Sequence, residues 1–192
     1  MRASTVKRKT KETDIFVELN IDGTGQSDIS TGIGFFDHML TLMAFHGRLD
    51  LKIRCQGDLD VDSHHTVEDI GLALGQAFVE AVSDKKGIRR YANAYTPMDE
   101  SLARVVLDIS NRPYLVYKVD LKKDYLGQMD TQNFEEFFRA FAMASRVTLH
   151  VEVFYGNNDH HKIEAVFKAL GRVLSEASDI TDDRISSTKG VL

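Results

Sequence analysis

Imidazole and carboxylate groups recur in this chain at a spacing that suits metal coordination. His64-His65-Thr66-Val67-Glu68 and His160-His161-Lys162-Ile163-Glu164 both read His-His-x-x-Glu, and four of the seven histidines stand in these two segments. Successive residues of an α-helix diverge by about 100°, while i and i+4 nearly superpose. His64 with Glu68, and His160 with Glu164, can therefore each grip one ion. His65 and His161 point elsewhere. The economical arrangement is two pseudo-symmetric metal sites, one built from His64, Glu68 and His161, the other from His160, Glu164 and His65. Mixed imidazole and carboxylate ligation without thiolate suits Mn, Fe or Zn. Three or four protein ligands per ion leave positions open, as catalysis requires.

The elements that must position these groups repeat as well. From His64 to His160 the offset is 96, and HHTVEDIGLALGQAFVEAV lies over HHKIEAVFKALGRVLSEAS with far more identities than chance gives. Upstream, Leu51-Lys52-Ile53 corresponds to Leu149-His150-Val151 at an offset of 98, and the stretch Lys11–Ile21 to Asp99–Ile109 at 88. The drift places insertions in loops, where they are tolerated. The repeat also supplies a further ligand on the first helix of each half: His38 before an apolar stripe, and Glu136 in the matching slot.

Ile15, Val17, Leu19 and Ile21 alternate as a half-buried strand should, and so do Ala103, Val105, Leu107 and Ile109. A helix is expected near Phe35–Phe45 and near Phe134–Ser145, then a strand near Leu49–Cys55 and Thr148–Tyr155. A long helix opens at each histidine pair. Val67, Ile70, Leu74 and Phe78 stripe one of them, and Ile163, Val166, Phe167 and Leu170 the other. Asp62 or Ser63, and Asp159, are the expected N-caps. The fold class is α+β, a tandem duplication of a β-β-β-α-β-α unit over residues 1–88 and 89–192, the two forming one compact domain.

The chain has 192 residues, 43% hydrophobic and 28% charged, with 2 Pro and a net charge of -5. That composition reads as an ordinary globular protein and argues against non-specific nucleic-acid binding. The basic Lys7, Arg8, Lys9 and Lys11 read as a solvated strand rather than a nucleic-acid arm. No apolar run approaches the roughly 18 residues of a membrane span, and no secretory signal opens the chain. The single cysteine, Cys55, sits in an alternating segment and reads as a packed thiol. It fits a reducing compartment, and a cytoplasmic location is expected. His46 and His150 read as structural or supporting groups.

Several motifs in order resemble one family closely. They are Lys11-Glu12-Thr13, Gly32-Ile33-Gly34-Phe35-Phe36-Asp37-His38, Asp62-Ser63-His64-His65-Thr66-Val67-Glu68-Asp69, Met98-Asp99-Glu100-Ser101, Asp108-Ile109-Ser110-Asn111-Arg112-Pro113, His160-His161-x-x-Glu164 and Ser187-Thr188-Lys189-Gly190. They resemble the imidazoleglycerol-phosphate dehydratases of histidine biosynthesis, almost end to end. The resemblance implies helices packed between two small mixed sheets, a ribosomal protein S5 domain 2-like arrangement. It further implies two Mn²⁺ per active site and a homo-oligomer, a 24-mer of octahedral symmetry whose copies share ligands. The implied reaction removes water from D-erythro-imidazole-glycerol phosphate, through a metal-bound imidazolate and a diazafulvene-like intermediate, to give imidazole-acetol phosphate.

By the same resemblance Glu12 is the catalytic acid/base, although alone it would read as an exposed strand-end residue. Arg90, Arg112, Lys168, Ser187 and Lys189 match phosphate-contacting positions, although alone each would pass for an ordinary surface group. The polar tail could close over the ligand. Glu136 departs from the family, where His is frequent, which leaves the metal at that position open. Two other readings stay open on the duplicated motif alone: a different dinuclear metal hydrolase, and a metal-binding oligomer without catalysis.

Overall fold

A computed structural model describes all of residues 1–192. The first half forms β1 (Ala3–Lys9), β2 (Thr13–Asn20), β3 (Ser27–Ser30), α1 (Gly34–Gly47), β4 (Asp50–Gly57) and α2 (His64–Val82). The second forms β5 (Tyr91–Met98), β6 (Ser101–Asp108), β7 (Tyr114–Lys118), β8 (Tyr125–Leu126), β9 (Met129–Asp130), α3 (Asn133–Ser145), β10 (Thr148–Tyr155) and α4 (Asp159–Ser178). The hairpin β8–β9 is the insertion behind the rise of the repeat offset from 88 to 98.

Each half folds its own four-stranded sheet, in the order β1-β2-β4-β3 and β5-β6-β10-β7. In both, the long strands pair antiparallel, while β3 runs parallel to β4 and β7 parallel to β10. A parallel pair needs a crossover, and α1 and α3 supply it. The period-2 pattern turns Ile15, Val17 and Leu19 inward from one sheet and Ala103, Val105 and Leu107 from the other. The fold is α+β, with the four helices between the two mixed sheets.

The helices pair across the halves. α2 lies on β1 and β2 of its own sheet but packs along α3, and α4 lies on β5 and β6 but packs along α1. Gly75 and Gly171, equivalent in the repeat, make these crossings close. A Cβ on Gly75 would stand 2.7 Å from the Phe141 carbonyl, and one on Gly171 would stand 2.1 Å from that of Met43. Phenylalanines then join the helices: Phe36 meets Phe137 edge-on at 5.2 Å, Phe137 stacks on Phe167 at 5.5 Å, and Phe78 lies 6.0 Å from Phe141. Such aromatic pairs add about 0.5–1.5 kcal/mol each beyond their buried area. One continuous core of 48 buried residues results. No helix is long and apolar enough to cross a membrane.

One expected cap is corrected. Asp159 is the first residue of α4, not its N-cap; Asn158 is the cap, and its side-chain oxygen accepts the His160 N–H at 3.0 Å. Asp159 is buried and ion-paired to Lys162 at 2.8 Å, and it also accepts the backbone N–H groups of Lys122 and Lys123. Ser63 precedes α2 without a capping bond from its hydroxyl. Asp62 does that work, accepting the His64 N–H at 2.7 Å. Cys55 is partly buried, and burial pushes its thiol up to about 11.

Candidate active site

Each histidine pair is the first turn of a long helix, so its orientation follows from the cap beneath it. The cap oxygens of Asp62 and Asn158 stand at matching places in the two repeats and fix the entry of α2 and α4 alike. On α4, His160 Nε2 lies 3.2 Å from Glu164 Oε2, one turn along the helix. The matching pair on α2, His64 Nε2 and Glu68 Oε2, is 3.7 Å apart.

Because α1 packs along α4, His38 comes from the first half to the second half's histidine. His38 Nε2 is 4.0 Å from Glu164 Oε2, and ligand atoms of His38, His160 and Glu164 all lie within 4.8 Å of one another. The Thr31 N–H donates to the Asp37 carboxylate at 2.9 Å and ties the turn before α1 to the helix that carries His38. Phe35 meets the His160 ring edge-on at 5.1 Å. Two imidazoles and one carboxylate converging this tightly are a fitting donor set for a borderline divalent ion. Glu164 stays anionic there. Its burial opposes ionisation, but the Lys168 ammonium at 2.6 Å and His160 hold the carboxyl below its usual range.

The matching group on the other side is looser. Glu136, on α3, shares a cavity of about 650 Å³ with His64 and Asn133. Its carboxylate lies 3.7 Å from the Arg139 guanidinium. Asn133 Nδ2 donates to Ser63 Oγ at 2.8 Å, and its Oδ1 lies 3.2 Å from His64 Nδ1.

The second histidine of each pair does not cross over within one chain. His65 Nδ1 is 3.0 Å from Asp58 Oδ2, and its Nε2 is 3.9 Å from Glu12 Oε1. His161 Nδ1 is 2.7 Å from Glu100 Oε2, and its Nε2 is 3.9 Å from Asp99 Oδ2. The helical step turns both rings toward loops of their own half, so the three-residue groupings expected from spacing alone do not gather in a single copy. The Asp58 and Glu100 carboxylates raise the pKa values of His65 and His161. Glu12 stands in the β1–β2 turn with its side chain 53% exposed.

A second cavity, about 1100 Å³, is lined by Arg90, Arg112, Ser187 and Lys189 together with Ser110 and Asn111. Arg90 is buried and bonded to Asp108 at 2.7 Å and to the Ser186 carbonyl at 2.6 Å. Arg112 approaches the other Asp108 oxygen at 3.5 Å. Asp108 thus pairs with both of the arginines that line this cavity. Lys168 is not among them, being paired with Glu164 beside the His38 group. His150 is exposed on β10. For His46, burial first, and then the positive Lys168 and Arg172, hold the imidazole below its usual pKa.

Sequence alone points to no role for Asp58, Glu100 or Asn133 in the site. Glu100 carried a signal, since the repeat sets it over Glu12. Asp58 and Asn133 carried none, because their partners are 7 and 69 residues away along the chain.

The fold and these side chains define a class: duplicated α+β proteins that present imidazole and carboxylate at the starts of paired helices. A family model described as imidazoleglycerol-phosphate dehydratase matches residues 31–174. A dehydratase of that name from Clostridioides difficile is 62% identical over 192 residues and is covered, like this chain, at 100%. One from Caldanaerobacter subterraneus is 60% identical over 194 residues, again with full cover of both chains. A crystal structure of the dehydratase from Staphylococcus aureus superposes with a TM-score of 0.83 at 45% identity, over 93% of this chain and 98% of that one. The Pyrococcus furiosus structure gives 0.85 at 40% identity, over 97% and 100%. The chain belongs to the imidazoleglycerol-phosphate dehydratase family, hydro-lyases of histidine biosynthesis.

Proposed function

We propose that the chain is a manganese-dependent dehydratase that converts D-erythro-imidazole-glycerol phosphate to imidazole-acetol phosphate. The observation that carries this reading is the convergence of His38, His160 and Glu164 within 4.8 Å. These three would hold one Mn²⁺, and His64, Glu68 and Glu136 the other. When bound, the ions would supply Lewis acidity that acidifies the substrate's ring and so eases the loss of hydroxide from its side chain.

The protein's own groups do the rest. The departing carbon-bound proton has no carbonyl beside it, so a base must be placed against it. Glu12 is that base, and its conjugate acid delivers the proton to the carbon that lost hydroxide as the enol becomes the ketone; its exposure in one copy leaves burial to the substrate or a second copy. Arg90 and Arg112, oriented by Asp108, offer forked donors to the phosphate, with Ser187 and Lys189 from the tail beside them. Lys168 keeps Glu164 ionised. His65 and His161 project from their own helices, away from the local clusters. In this reading they complete the clusters of neighbouring copies in a 24-mer of octahedral symmetry, working in the cytoplasm.

The test is metal content and turnover of imidazole-glycerol phosphate before and after chelation. Loss of turnover with the metal, and its return with Mn²⁺, is the expected result. Full turnover by metal-free protein would refute the reading.

A further inference from the structure

The second histidines of the two pairs are each clamped by a carboxylate that the reaction does not use. We propose that Glu100 and Asp58 are positioning residues, holding His161 and His65 as the Nδ1–H tautomer so that the Nε2 lone pair faces outward for coordination. The consequence for metal binding rests on the function proposed above; the tautomer itself is a property of the metal-free chain.

A neutral imidazole carries its proton on one nitrogen only, and an ionised carboxylate only accepts. With Glu100 Oε2 at 2.7 Å from His161 Nδ1, and Asp58 Oδ2 at 3.0 Å from His65 Nδ1, the proton of each ring belongs on Nδ1. Nε2 is then an acceptor, and Asn158 Nδ2 stands 3.4 Å from that of His161, on the donor side of such a contact. A metal ligand whose other nitrogen is fixed in this way is oriented and made more basic.

Glu100 is itself fixed. Its Oε1 accepts the N–H groups of Asn157 and Asn158, at 3.0 and 2.8 Å, and faces Ser101 Oγ at 3.1 Å. Asn158 also caps α4. The carboxylate, the cap and the first turn of α4 thus form one unit. The first half reaches the same end by another route. Its loop between β4 and α2 runs through residues 58–63, longer than the loop at 156–158, and Asp58 is the first residue of that loop. The residue that matches Glu100 in the repeat, Glu12, is therefore left free for proton transfer.

The amide variant separates positioning from structural support. In Glu100→Gln, the two backbone N–H groups demand the amide oxygen, which turns the NH₂ toward His161 Nδ1. That donor forces the proton onto Nε2 and removes the outward lone pair. Glu100→Ala only frees the ring to choose. Mn²⁺ affinity, measured by chelator competition on the full oligomer, should fall roughly 10–100-fold in Glu100→Gln and less in Glu100→Ala. A merely structural role gives the reverse order, with the isosteric Gln mildest. In Asp58→Asn the loss should be small, because Asp58 Oδ1 meets no donor and the amide can turn its oxygen to His65.

The second readout needs no metal. Solid-state ¹⁵N spectra of histidine-labelled, metal-free protein at roughly pH 9, well above the ordinary imidazole pKa, should show His161 protonated on Nδ1 in the parent and on Nε2 in Glu100→Gln. A His161→Asn spectrum assigns the signal. Nε2–H in the parent, or unchanged Mn²⁺ affinity in Glu100→Gln, would overturn the inference. A parent that binds no Mn²⁺ yet shows both tautomers as stated would sink the metal reading and leave the positioning role standing.

Discussion

Glu12 and Glu100 occupy matching positions in the two repeats and have opposite surroundings. Glu100 spends both oxygens, one on three donors of its own half and the other on His161, and these bonds hold its carboxyl far below the usual range. Glu12 makes no side-chain hydrogen bond, its nearest imidazole lying 3.9 Å away. A carboxylate tied up by fixed donors gives up its basicity, while one left free can move a proton. The duplication thus left one carboxylate tied by donors and the other free, which is the state the role proposed for Glu12 requires.

Glu12→Gln should therefore lower kcat for dehydration by roughly 10²–10⁴-fold, with metal content and thermal stability unchanged. Steady-state kinetics beside metal analysis of the same sample checks it. A variant with parental kcat would remove Glu12 from proton transfer.

The backbone contact between α1 and α4 sets a second expectation. Any Cβ at position 171 meets the Met43 carbonyl at 2.1 Å, and the obstacle is backbone, which cannot swing aside. Gly171→Ala should destabilise by about 1–3 kcal/mol, which is a fall in Tm of roughly 2–12 °C for a chain of this size. Because α1 carries His38 and α4 carries His160, the same change should loosen metal at that cluster before it affects the other. Melting curves and metal stoichiometry would show both. A parental Tm would mean the helices do not cross this closely.

Asp159 and Lys162 form a buried pair, 2% and 5% exposed, that ties the 120–123 segment to the start of α4. Asp159→Asn leaves the ammonium without its counter-charge and should cost about 3–5 kcal/mol at pH 7. The pH dependence has a definite sign. Burial raises the Asp159 pKa, but Lys162 and the two backbone N–H groups outweigh it and leave the folded value below the unfolded one. Its contribution is thus complete above the unfolded carboxylate pKa of about 3.9 and fades as pH falls through the folded value. The stability gap between parent and variant should be open at pH 7 and close below roughly pH 4. Denaturant titrations at both pH values measure it, and a gap independent of pH would contradict the assignment.

Much of the architecture was already legible in the chain. Strict alternation at Ile15–Ile21 and Ala103–Ile109 gave the central strands, helical spacing gave α2 and α4, and the 96-residue repeat gave their equivalence. These are local signals, because strand and helix periods are written in consecutive residues. The hairpin β8–β9 was visible only as a drift in offset. Asn158, one residue before Asp159, takes the capping bond that Asp159 could also offer.

Residue types and i, i+4 spacing fixed, on their own, that His64 faces Glu68 and that His160 faces Glu164, since one helix carries both members of each pair. Tertiary structure alone decided the third partner. Cross-half helix packing brings His38 to His160 and sets Glu136 beside His64, while His65 and His161 turn to the carboxylates of Asp58 and Glu100. The reason is range: a helix repeats its geometry every few residues, but which helices touch depends on glycine contacts and phenylalanine packing among residues far apart in the chain.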